Sequence, residues 1–313
     1  MTRVGNLFPD RLADRVPASI ATRRINWVEV ARMDLANARR SSMLWTLGGA
    51  FGLLMLLVPL LPILLYQVDP TEIPLWLGAE MLSFLMWLLI SLIALLVGCM
   101  AVVSEREAGT ARALLDLPIT RRDIVIGKLL ARSVIMTGML LFGLALAGIE
   151  LWYLYGPFDL GWYATFVGIW LGYGLVFVWI GVGISAFFRT YARALAGAVS
   201  AYALFVLVWD AIPRGVFYLV EGQVPKNVSK TWDPPAWFVF LENANPFYGY
   251  FALSTEWLSF NPLPAGVSRY KSESFEGTSP FYLQPEFMVV VLALWVLGPL
   301  MLGAWRFGRS DLG

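Results

Sequence analysis

Few side chains in this 313-residue chain can do chemistry, and their spacing narrows what they can do. There is no histidine and one cysteine, Cys99, inside an apolar run. Zinc, copper and haem centres draw on clusters of those residues, so no bound metal is expected, and one cysteine cannot close a disulfide within the chain. A phosphate-binding loop needs G-x-x-x-x-G-K-[ST], whose amides cradle phosphates while the lysine and a hydroxyl complete the site. The only Gly-Lys pair, Gly127-Lys128, has Arg122 in place of the first glycine and Leu129 in place of the hydroxyl. Neither a Gly-x-Ser-x-Gly elbow nor a zinc-protease histidine pair occurs. The chain is therefore expected to bind no cofactor and to catalyse no reaction by itself. What remains is a dense charged loop, Ser104 to Ser133, and three isolated carboxylates, Glu80, Glu150 and Asp210.

The elements that must carry these groups follow from composition. Hydrophobic residues make up 58% of the chain and charged residues 14%, with mean hydropathy +0.67. A soluble domain holds about a quarter charged residues and could not hide so much apolar surface. The net charge of +1 disfavours a nucleic-acid binder. Apolar runs long enough to cross about 30 Å of hydrocarbon occur at Met43–Tyr66, Glu80–Val103, Ser133–Tyr155, Trp162–Phe188, Ala194–Ile212 and Phe287–Trp305. Period-two alternation of the barrel type is absent from them. The expected fold is an all-α integral membrane protein with six transmembrane helices.

Orientation comes from where the 23 Lys and Arg residues sit. Eight precede the first span, six lie between the second and third, two between the fourth and fifth, and two after the last. The first and third loops have none, and the long fifth loop holds the other five: Arg214, Lys226, Lys230, Arg269 and Lys271. The positive-inside rule then places both termini in the cytoplasm, because long loops translocate despite their charge. The chain divides into a cytoplasmic lead-in (1–42), spans one to five with a coupling loop at 104–132 (43–212), an extracytoplasmic cap rich in aromatics and proline (213–286), and the last span with a cytoplasmic tail (287–313). The lead-in lacks the short apolar core and cleavage site of a secretory signal. Within it Trp27, Ala31, Leu35 and Ala38 recur at helical spacing while Glu29, Arg32, Asp34 and Arg39 point elsewhere. That pattern fits a helix on the membrane surface or a merely solvated amphipathic one.

In the charged loop, Leu114, Leu115, Leu117 and Ile119 form an apolar cluster where water is expected. Such a patch calls for a partner surface, or it packs on the lead-in helix or the bilayer. Pro118 ends one short helix, and Thr120 with Asp123 makes a capping box that starts the next, running straight into the third span.

The run Glu105-Arg106-Glu107, Gly109-Thr110, Leu114-Leu115, Pro118-Ile119-Thr120-Arg121 and Gly127-Lys128-Leu129 resembles the signature of type-2 ATP-binding-cassette (ABC) transporter permeases, a family that includes permease subunits of multicopper-enzyme maturation systems. The tail residues Phe307, Arg309, Asp311 and Leu312 resemble the family's ending. The resemblance implies a permease subunit, an exporter, whose coupling residues are Glu105, Arg106, Glu107, Gly109, Thr110, Arg112, Leu114, Leu115, Leu117, Pro118, Thr120 and Arg121. It implies two cytosolic ABC ATPase subunits that bind ATP and Mg, and a second permease chain, alike or different. The setting it implies is the cell (cytoplasmic) membrane of a prokaryote. Two other readings stay open: a module that passes ATPase motion to an extracytoplasmic protein without carrying cargo, and an ATP-independent channel or carrier.

Counted along their helices at 1.5 Å per residue, Glu80, Glu150 and Asp210 all approach the outer leaflet. A carboxylate at mid-bilayer costs roughly 2.5 to 3.5 kcal/mol and one at the interface much less. They serve either as interfacial anchors, with Arg214 a partner, or as the lining of an outer vestibule. The fourth span carries Gly168 and Gly172 as a G-x-x-x-G, with Ser185 among further small residues, a pattern for close helix packing. In the fifth loop Asn245-Pro246 is a good helix start, and the spacing predicts a short interfacial helix over Pro246–Leu258, part of an outer cap.

Overall fold

The structure, a computed structural model, describes residues 26–67, 74–107, 120–225, 235–258 and 280–309. Among these every regular element is helical. In chain order they are α1 (Trp27–Ala38), α2 (Ser42–Leu57), α3 (Leu61–Tyr66), α4 (Leu75–Cys99), α5 (Val103–Glu107), α6 (Arg121–Tyr155), α7 (Leu160–Phe187), α8 (Tyr191–Tyr202), a π-helical segment (Ala203–Val208), α9 (Ala211–Glu221), α10 (Ala236–Asn243), α11 (Pro246–Leu258), a 3-10 turn (Phe281–Leu283) and α12 (Pro285–Arg309).

Five stretches are long and apolar enough to cross a membrane: Leu75–Glu107, Arg121–Tyr155, Leu160–Phe187, Tyr191–Val208 and Pro285–Arg309. A sixth exists if α1 and α2, bent by 72° at their junction, are counted as one. The first expected span, Met43–Tyr66, is not one unbroken helix. Its N-terminal part is α2, a turn covers residues 58–60, and α3 follows. Pro59 and Pro62 account for the break, since proline removes a helix amide and clashes with the preceding turn, yet is tolerated at the start of α3.

Local sequence explains several helix starts. The Asn26 side chain accepts from the Val28 and Glu29 amides at 3.1 and 3.3 Å, and Glu29 reaches back to the Asn26 amide at 3.3 Å. Asp159 caps α7 through the Trp162 amide at 2.6 Å. Thr120 and Asp123 form the expected capping box, Oγ1 accepting from the Asp123 amide at 3.1 Å. From there α6 runs 35 residues without interruption.

The bundle is organised around α7, which packs against α4, α12 and α6. The apolar stretch of α4 is 67% buried, against 17% for those of α8 and α12, so the latter two leave broad apolar flanks facing outward. Two crossings of α7 bring backbones almost into contact. A Cβ on Gly98 of α4 would lie 2.5 Å from the Val178 carbonyl oxygen, and one on Gly303 of α12 would lie 2.4 Å from that of Gly183. At these crossings the close approach is between backbones, which is not so for the G-x-x-x-G pair. Gly168 faces open space, whereas Gly172 receives the Tyr250 hydroxyl, only 2.2 Å from where a Cβ would sit.

The helix expected over Pro246–Leu258 is present as α11, but it does not lie along a surface. Phe247 and Phe251 are wholly buried, in ring contact with Trp87 on α4 and with Trp170 and Tyr173 on α7. Tyr250 Oη donates to the Ile169 carbonyl at 2.8 Å. Asn245 donates to the Phe205 carbonyl at 2.7 Å, within the π-helical segment whose widened turns alter the usual backbone pairing.

Candidate functional site at the charged end of the bundle

A short break at residues 100–102 separates α4 from α5, and Ser185 of α7 secures it. Its buried Oγ accepts from the amides of Val102 and Val103 at 2.9 and 3.0 Å, satisfying the free donors where α5 begins. Three consecutive residues of α5 then each grip a different part of the bundle. Glu105 pairs with Lys128 of α6. Arg106 Nη1 donates to the Phe188 carbonyl at 2.6 Å, at the C-terminal end of α7, and its guanidinium stands 4.4 Å from the Phe307 ring centroid on α12. Glu107 accepts from the Tyr191 amide at 2.7 Å and so caps α8, whose own N-cap residue Thr190 makes no side-chain bond.

The signs of these contacts follow helix electrostatics. An acid sits on the amide-rich start of α8 and a guanidinium on the carbonyl-rich end of α7, each favourable to the local dipole. Arg121 repeats the second arrangement, Nη1 donating to the Phe307 and Gly308 carbonyls at 2.5 and 3.0 Å in the last turn of α12. Its guanidinium lies 5.7 Å from the same Phe307 ring. Arg306 sits 4.2 Å above the Phe187 ring.

Beneath this layer lies a buried ion cluster. Lys128 Nζ is 2.9 Å from Asp34 Oδ1 of α1 and also pairs with Glu105. Arg132, one turn further along α6, donates from Nη2 to Asp34 Oδ1 at 3.2 Å, and its Nε stands 3.1 Å from Oδ2 at an angle poor for hydrogen bonding. The Lys128 and Asp34 side chains are 2% and 4% exposed. Such charges are tolerated in a dry site only because each has an opposite partner. Gly127 brings the partners within reach: a Cβ there would lie 2.6 Å from both the Trp27 carbonyl oxygen and Val30 Cβ. The Gly127-Lys128 pair that fails as a phosphate loop thus has a packing role, the glycine admitting α1 and the lysine holding it.

This corrects the expected placement of two residues of the lead-in helix. Val30 and Asp34 point inward, while Trp27 is 43% exposed. Ala31, Leu35 and Ala38 are half-buried beside them, so the ion pairs with Lys128 and Arg132 share the inward side with most of the apolar stripe.

Of the sequence-derived coupling residues, the structure brings Glu105, Arg106, Glu107, Thr120 and Arg121 to this end of the bundle. Gly109, Thr110, Arg112, Leu114, Leu115, Leu117 and Pro118 lie outside the described residues. Sequence reasoning missed Asp34, Lys128, Arg132 and Ser185 as site members. The usable signal was Lys128 and Arg132, four residues apart on one helical face and next to an apolar span.

The three isolated carboxylates do not form one centre. Asp210 accepts from Tyr248 Oη at 3.0 Å, beside α11. Glu150 Oε2, near the end of α6, is buried with no hydrogen-bond partner among the described residues. Glu80 lies in the first turns of α4, where Gly78 abuts Tyr155 and Leu151 of α6. Among the described residues no group of three acidic, Cys or His side chains could hold a metal ion.

Comparison with known proteins identifies the family. Residues 28–312 match the family described as ABC-2 family transporter protein. The chain is similar to the "Probable ABC transporter permease protein NosY" of Pseudomonas aeruginosa, 28% identical over 200 residues, or 62% of this chain and 72% of that protein. It is likewise 29% identical over 199 residues to the protein of the same name from Stutzerimonas stutzeri, covering 62% and 71%. With its set of membrane-length apolar helices and a family match over nearly its whole length, the chain belongs to the ABC-2 transporter family and is a multi-pass membrane permease.

Proposed function

We propose that the chain is the membrane-spanning subunit of an ATP-driven exporter in the cell membrane, with both termini cytoplasmic and ATP hydrolysed by two copies of a separate cytosolic ABC ATPase subunit. ATP and Mg would bind on that subunit, and a second permease chain would complete the path. The observation that carries the reading is the grip of Glu105, Arg106 and Glu107. Through them α5 holds α6 and, by way of Lys128, α1, together with the C-terminal ends of α7 and α12 and the start of α8. A push on the 104–132 loop is therefore delivered to five helices at once. Packed interfaces of this kind pass small displacements on as rigid-body shifts. Leu114, Leu115 and Leu117 are assigned to the surface that meets the ATPase.

One observation favours a second reading, in which the same motion is delivered to an extracytoplasmic protein without cargo transport. The segment after the fifth span is tied to the spans by partly buried hydrogen bonds. Trp209 donates to Leu241 at 3.1 Å, Trp295 to Ala244 at 2.7 Å, and Tyr250 to Ile169. A shift of α7 or α12 would move it directly.

Purification from native membranes in several mild detergents tests the main reading. An ATPase subunit carrying a phosphate loop should accompany the wild-type chain and be lost with Leu114→Asp or Leu115→Asp. If none accompanies the wild type, the reading fails. If it does, accumulation of cargo in vesicles separates transport from transmitted motion.

A further inference from the structure

The elbow between α1 and α2 leaves a groove of about 650 Å³ against α6. Its walls include Leu44, Met139 and Phe142, and Gly48, Gly49 and Gly138 open its floor. A Cβ on Gly49 or Gly138 would meet nothing within 4 Å, so the described residues do not fill this space. The volume falls within the roughly 300–1,000 Å³ of small-ligand sites.

The rim differs in chemistry. Arg39 borders the groove with an exposed side chain, and Arg40 follows it. Trp45 is 68% exposed, and its indole Nε1 donates to the Arg39 carbonyl at 2.9 Å, which sets the elbow. Among the described residues, charge around the elbow is one-sided for a structural reason. Asp34 is withdrawn under α6 with Lys128 and Arg132, and Glu29 is engaged in the capping box. That leaves Arg32, Arg39 and Arg40 on the exposed side of α1 and the turn after it.

An apolar trough along a membrane helix, with a cationic rim and an interfacial tryptophan, has the chemistry of a phospholipid site. We infer that the groove takes one acyl chain of an anionic phospholipid from the leaflet at the α1 end, its phosphate held by Arg39 and its net charge favoured by Arg32 and Arg40. A zwitterionic lipid makes the same apolar contacts but adds no net charge for the arginines to attract. A second copy of this chain, with its α1 end equally arginine-rich, would set like charges against each other at the rim. The occupant is thus a lipid.

The test uses the full chain with its accompanying subunits in mild detergent, following thermal unfolding during titration with phosphatidylglycerol or phosphatidylcholine. Phosphatidylglycerol should raise the midpoint by about 3 °C more than phosphatidylcholine, as expected for a ligand of the folded state. Gly138→Leu, which fills the trough, and Arg39→Gln, which removes the rim charge, should each abolish most of that difference. Both should also lower the count of tightly held lipid in native mass spectra. Equal responses to the two lipids, or an undiminished phosphatidylglycerol response in both variants, would overturn the inference. So would a change in the number of chains per complex with Gly138→Leu while bound lipid stays constant, since the groove would then be an interface between copies.

Discussion

Lys128 Nζ stands 2.9 Å from Asp34 Oδ1, and both side chains are almost sealed from solvent. The contact fastens the lead-in helix to the long helix α6, and the same ammonium holds Glu105 of α5, at the edge of the charged loop. One cation therefore joins three segments that are far apart in sequence. The lead-in helix is packed into the bundle's charged end.

Removing Asp34 should be costly. Asp34→Ala leaves Lys128 and Arg132 buried without their shared carboxylate, a change that destabilises by about 3 to 5 kcal/mol in buried clusters. Glu105→Gln should cost much less, because Glu105 is 21% exposed and Lys128 keeps Asp34. Chemical unfolding of the two variants in one detergent checks the order. Equal losses would mean the cluster is not organised around Asp34.

Glycines on the long helices should respond according to what faces them. Gly127→Leu must push α1 away, since even a Cβ would lie 2.6 Å from the Trp27 carbonyl oxygen. Overpacking of this kind costs about 1 to 3 kcal/mol. Spin labels on α1 and α6 should read a longer separation. Gly168→Ala faces open space and should leave stability unchanged or raise it by up to about 1 kcal/mol through helix propensity.

The α11 contact with α7 gives a graded pair. Tyr250→Phe loses one hydrogen bond, to Ile169, and should cost about 0.5 to 1.5 kcal/mol. Gly172→Ala should cost more, because its methyl would collide with the tyrosine hydroxyl. Adding Tyr250→Phe to Gly172→Ala should recover part of the loss, and unfolding midpoints of the three variants measure it.

Sequence periodicity located all the long apolar elements and the Thr120–Asp123 start of α6, because span length and capping are local properties. It also marked Pro246–Leu258 as a helix, since Asn245-Pro246 is a local signal. What it missed depends on partners distant in the chain. Asp34 reads as a surface residue until Lys128 and Arg132 are placed across from it. The aromatic face of α11 reads as interfacial until Trp87, Trp170 and Tyr173 are found to enclose it. Ser185 looks like one more small packing residue until the amides of Val102 and Val103 turn toward it. In the loop itself Glu105, Arg106 and Glu107 stood out by their density, but the helix ends they serve lie 82 or more positions away for Arg106 and 84 for Glu107.

The central claim is that an ATPase drives this permease through its Glu105 end, and ATP turnover in the reconstituted complex tests it most directly. With subunit composition held equal, Glu105→Gln should leave the ATPase bound but reduce the permease-dependent part of its turnover by about fivefold or more, the range of typical coupling energies. A turnover that is the same with the wild-type chain, with Glu105→Gln and with no permease at all would contradict the account.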